Sequence, residues 1–188
     1  INTNYMNNTM IPTVLKATTN NMGVINTFLN GLKDYWLDEG GANQRFNPLR
    51  NYLTSSNAPN GFSVAHNVMD PVGLAHYRGV LEYLGQTFSD PSGDNGNIYR
   101  FTIGNELDQH WSWYNVGEIS MEEIVEIYLT SCRIADLALR SQTPDYRVYL
   151  SFTHYWDKLG GSGGPLRAAN MRDFLDLFAS RAKEEGDF

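Results

Sequence analysis

Apolar positions repeat with two periods along this chain, and the alternation between them is clearest in the second half. Residues 98–103 (Ile-Tyr-Arg-Phe-Thr-Ile) are β-branched or aromatic in the main, so they predict a short buried strand that Gly104 breaks. Residues 147–153 predict another strand, ending at His154, Tyr155, Trp156 and Asp157. Between them Met121, Ile124, Val125, Tyr128, Cys132, Ala135 and Leu139 recur at helical spacing over 121–141. Ser120 and Glu123 open that helix with the pattern of a capping box. Met171, Phe174, Leu175, Phe178 and Ala182 predict a last helix over 168–184. Upstream, Asp70 followed by Pro71 reads as a cap and first helical position, and Tyr77, Val80, Leu81, Leu84 and Phe88 form the stripe behind them.

The first 61 residues predict less regular structure. Residues 10–17 read as a short strand with Pro12 at its start, because proline cannot donate to a ladder. Val24, Phe28, Leu32 and Tyr35 predict a helix over 23–38, stopped by Gly40 and Gly41. Residues 40–61 read as a long loop with one helical turn near 49–53, and 62–65 as a strand ending at His66 and Asn67. Strand and helix thus alternate four times. That order predicts an α/β chain of βαβ units on a parallel sheet, in a single domain with its core units over 62–188.

Composition narrows the function. The 188 residues carry a net charge of −7, which argues against a nucleic-acid-binding surface. No run approaches the roughly 18 apolar residues a membrane helix needs. The one cysteine, Cys132, has no internal partner for a disulfide and sits on a helical stripe as a small core residue. Asn7-Asn8-Thr9 fits a glycosylation sequon, relevant only in a secreted protein. Asp90, Asp94 and the Gly, Asn and Ser around them offer oxygen ligands for calcium, but without EF-hand spacing, and read as a plain surface loop.

Polar and aromatic residues gather where strands should end: His66-Asn67, Asn105-Glu106, and His154-Tyr155-Trp156. Parallel strands would bring all three to one rim. Glu106 is the main candidate. A carboxyl group partly desolvated at a strand end can hold a proton at neutral pH and deliver it to a leaving oxygen. The bland alternative is a structural ion pair. Asn105 and His154 have the groups to hydrogen-bond a sugar, and Trp111, Trp113 and Trp156 offer flat faces for stacking or plain core filling. Asp108 and His110 form an incomplete metal set with no third ligand at convincing spacing.

The string Ile103-Gly104-Asn105-Glu106, reached from a strand and followed by an aromatic loop, resembles the clan of retaining glycoside hydrolases built on (β/α)8 TIM barrels. In that clan the Asn-Glu pair closes strand 4 and the Glu is the acid/base. The longer string to Gly117, with residues 152–156, looks like a cellulase-like branch of the clan. The resemblance covers residues 62 to 188 and fades before Gly61. It implies strands 2 to 5 of a barrel, a carbohydrate substrate and no cofactor. It also implies Glu106 as acid/base, with Asn105, His154, Trp111, Trp156, His66 and Asn67 on the sugar. The clan's nucleophile, a Glu after strand 7, has no counterpart after Trp156, since Glu184 and Glu185 fall on a helix end. A whole barrel needs about 250 residues, so the chain reads as a fragment whose partner is the rest of the barrel. A rival reading is a non-catalytic carbohydrate-binding or structural barrel.

Overall fold

In a computed structural model the structure describes residues 2–30, 55, 57–58, 63–90, 92–160 and 163–186. The architecture is mixed α/β. Three strands, β1 (Ile25–Phe28), β2 (Arg100–Ile103) and β3 (Arg147–Tyr149), form a parallel sheet in that order. The register pairs Ile25 with Arg100 and Arg100 with Arg147. The helices are α1 (Thr3–Tyr5), α2 (Ile11–Thr19), α3 (Pro71–Thr87), α4 (His110–Trp113), α5 (Met121–Arg140) and α6 (Met171–Glu184).

The caps read from the sequence are in place. Asp70 accepts from the N–H groups of Val72 and Gly73 with Pro71 in the first turn. Ser120 and Glu123 exchange the two bonds of a capping box at the start of α5. These bonds satisfy helix donors that would otherwise lack partners. The long apolar stripe of α5 then packs on α3 and α6. Tyr77 on α3 donates to the Ser131 carbonyl of α5 at 3.0 Å, and Tyr128 on α5 donates to the last carbonyl of β2, Ile103, at 2.6 Å.

The first thirty residues differ from expectation. Residues 10–17 are helix, not strand, and continue from α1 through a π-helical turn at Met6–Met10. Pro12 has no N–H to give and its ring crowds the carbonyl four residues back. The wider π turn immediately before it accommodates that crowding. The expected helix over 23–38 is strand β1 over Ile25–Phe28; residues 31–38 lie outside the described residues, as does the turn expected near 49–53. The Val24–Phe28 spacing fits a helix, but the ladder to β2 and the packing of Phe28 against the core decide otherwise. Residues 2–28 are therefore largely regular, where irregular structure was expected. At 62–65 no strand forms among the described residues. Val64 makes isolated bridges to Asn30 and Asn115. The described sheet thus has three strands where four were expected.

The two faces of the sheet are unlike. Phe101 and Ile103 are fully buried, with Phe28 and Val148 beside them against the helical core. Burying such side chains contributes about 1.5–3 kcal/mol each. On the opposite face the register aligns Ile25, Arg100 and Arg147, then Thr27, Thr102 and Tyr149. Ile25 is 60% exposed and Tyr149 43%. Parallel sheets are ordinarily covered on both faces.

Candidate functional site

The site grows from the carboxyl ends of the three strands. Gly104 ends β2 with a left-handed φ of 71°, and its N–H donates to the Phe28 carbonyl at the end of β1, 3.0 Å away. A Cβ at Gly104 would stand 2.8 Å from the ring of Tyr114, so glycine is required on both counts. Glu106 then takes φ 45° and ψ 58°, left-handed for a residue with a side chain. Its N–H donates to Ser151 Oγ at 3.2 Å, and Leu107 N–H donates to the Ser151 carbonyl at 3.0 Å. The Asn105-Glu106 turn is thus held between the ends of β1 and β3. Strain of this kind, about 1–3 kcal/mol, persists only where its surroundings over-determine it.

Glu106 and Asn105 are both half-buried. The Glu106 carboxyl is held above the usual carboxylate range, first by desolvation and then by the charge of Asp108, while His154 opposes the rise. Among the described residues Glu106 has no ion-pair partner. His154 is exposed, its ring 4.3 Å from that of Tyr155. Trp156, 51% exposed, is on the same segment.

The other candidates are buried. His66 is 2% exposed and stacks on Phe28 at 5.3 Å. Its Nδ1 lies 3.1 Å from the Tyr114 hydroxyl, and burial pulls its pKa down to about 3. Tyr114 is the ring that covers Gly104, so His66 joins the site from behind. Asn67 bonds Asp70 Oδ2 at 3.3 Å, beneath the start of α3. Trp111 is 7% exposed, with the Arg167 guanidinium 4.4 Å above its ring. Arg167 is in turn paired with Glu118 at 2.5 Å. The structure therefore groups Asn105, Glu106 and His154 at the rim. It sets His66 behind the rim through Tyr114 and Phe28, and places Asn67 against Asp70 and Trp111 against Arg167, away from that group.

The metal reading gains nothing. Both Asp108 oxygens are occupied by Thr153. His110 Nε2 meets the Leu166 carbonyl at 3.1 Å, and desolvation lowers its pKa to about 4. Among the described residues no group of three or more His, Cys, Asp or Glu could hold a metal ion. At the other end of β2, Asp90 caps its own loop through Ser92 N–H and hydroxyl, both at 2.8 Å.

A family model described as a family of unknown function, DUF5722, matches residues 2–188. The chain belongs to that family. No curated protein matches it, and no solved structure does. In this DUF5722 member, three residues of the site have no role assigned from the sequence: Ser151, Thr153 and Tyr114. The first two have small hydroxyl side chains at alternate positions past β3, and that spacing, which turns both to one side of an extended segment, was the signal available.

Proposed function

We propose that this DUF5722 chain supplies consecutive βα units of a (β/α)8 barrel, and that Glu106 is the acid/base of a retaining glycoside hydrolase. The observation that carries the reading is the state of Glu106: half-buried at the carboxyl rim of a parallel sheet, in a strained turn, unpaired among the described residues, with its proton affinity raised. Those are the properties asked of a carboxylic acid that protonates a glycosidic oxygen near neutral pH. The open sheet face supports the barrel, since in a closed barrel the row Ile25, Arg100, Arg147 would point inward and be covered by facing strands. In the clan's order β1 to β3 are then strands 3 to 5. Asn105 and His154 flank the bond to be cut, and Trp156 offers a stacking face. Retention requires a second carboxylate as nucleophile, about 5 Å from Glu106.

The test is turnover of a panel of β-linked glycans by the full-length protein and its Glu106→Gln variant. The expected loss is about 10²- to 10⁴-fold, the usual worth of a positioned acid. Equal rates in the two would end the assignment. The exposed indole of Trp156 also favours a second reading, a barrel that binds carbohydrate without cutting it. Sugar binding by the full-length protein with no turnover would select that one.

A further inference from the structure

Asp108 follows Glu106 by two residues and is fully buried in the single turn Leu107–Gln109. Its Oδ1 accepts the Thr153 N–H at 2.8 Å, and its Oδ2 accepts the Thr153 hydroxyl. Its backbone carbonyl accepts from Ala169 N–H at 2.9 Å. Thr153 directly precedes His154. A buried carboxylate ordinarily has a cationic partner, because desolvating an unpaired charge is costly. Asp108 has none among the described residues. A carboxylate is therefore kept here, at a cost to folding, where an apolar residue would bury more easily.

We propose that Asp108 is a positioning residue: its clamp on Thr153 locks the loop bearing Glu106 to the segment bearing His154. The inference rests on the reading of Glu106 as the acid. Charged groups act on Glu106 from both flanking segments. Asp108, on its own loop, favours the protonated form, and His154, past β3, favours the ionised form. No other charged group among the described residues contributes. The clamp fixes both at once, since one residue of it lies two positions from the acid and the other lies next to the histidine. Burial is the first cause of Glu106's raised proton affinity; Asp108 adds to it and His154 opposes it.

Three substitutions separate charge from geometry. Asp108→Asn keeps the shape: its Oδ1 can accept from Thr153 N–H while its amide donates to the threonine oxygen. Thr153→Val removes the hydroxyl and leaves the charge. Thr153→Ser restores the hydroxyl. The measurement is a carboxyl-carbon NMR titration of Glu106 in the full-length protein, assigned by loss of the signal in Glu106→Gln. In Asp108→Asn the midpoint moves to lower pH, and the basic limb of the pH–rate profile moves with it. In Thr153→Val turnover falls, and Thr153→Ser recovers it. An unmoved or raised midpoint in folded Asp108→Asn overturns the proposal. If that variant does not fold, the threonine pair decides: turnover equal in threonine, valine and serine overturns it. The titration needs no substrate. A shifted midpoint in a protein inert on every glycan would therefore sink the sugar reading and leave the clamp standing.

Discussion

Two loops flank β2, and both carry carboxylates. Before the strand, Asp90 is exposed, and hydrogen bonds from the Ser92 hydroxyl and backbone hold its carboxyl below the usual range. After it, Glu106 is half-buried, and desolvation with Asp108 holds its carboxyl above that range. The residue type is nearly the same and the consequence opposite. Asp90 spends its charge on its own turn. Glu106 receives no bond at its carboxylate among the described residues, and its neighbours instead bond its backbone N–H. The Asp90 loop satisfies its acid locally, whereas the Glu106 loop fixes the backbone and leaves the acid without a bond among the described residues, as the proposed proton transfer asks.

The largest expected effect breaks the second loop while sparing the first. Gly104→Ala forces a side chain into a left-handed position and onto the Tyr114 ring, at a cost of about 2–4 kcal/mol. Gly93→Ala in the first loop meets only Asp90 atoms at 3.2 Å and beyond, with no left-handed φ, and costs about 1 kcal/mol or less. Urea unfolding of both variants gives the contrast; equal losses would contradict it.

A second effect belongs to the buried histidine beside the acid loop. His110 is neutral when folded, its pKa lowered to about 4 by burial. The unfolded chain takes up that proton below about pH 6.5 and the folded one does not. The stability it carries is therefore full above about 6.5 and is lost as pH falls toward 4. Between pH 7 and 5 the loss is about 1–2 kcal/mol. His110→Gln, which retains a donor for Leu166, should flatten the slope of unfolding free energy against pH, and an unchanged slope would refute the assignment.

The smallest effect compares the two acids directly. A raised folded pKa means that Glu106 binds its proton more tightly in the native state, so its contribution to stability falls as pH rises through that value. Glu106→Gln should then melt slightly higher at pH 7 and no higher near pH 4. The contrasting control, Asp90→Asn, removes a charge that is better held in the folded state and should give no gain at pH 7. Calorimetric melting at both pH values checks both variants, and a lower melting point for Glu106→Gln at pH 7 would reverse the sign.

How much of this was legible depended on sequence distance. Helices α3, α5 and α6 announce themselves through Asp70, Ser120 with Glu123, and apolar stripes, all within a few turns of one another. The placement of Asn105-Glu106 followed from one buried strand and one glycine. The first thirty residues were misread because tertiary pairing with β2 outweighed a helical spacing, and a π turn admitted Pro12. The supporting layer was illegible for a different reason. Ser151 and Thr153 meet Glu106 and Asp108 across 45 residues, and no local pattern records a contact that only the sheet creates.

The most direct measurement compares leaving groups. Full-length wild type and Glu106→Gln are assayed on an alkyl β-glycoside, whose leaving oxygen needs a proton, and on a dinitrophenyl β-glycoside, whose oxygen leaves without one. If Glu106 is the acid, the variant loses about 10²-fold or more on the first and forms the glycosyl-enzyme from the second at close to the wild-type rate. Equal losses on both, or none on either, would contradict it.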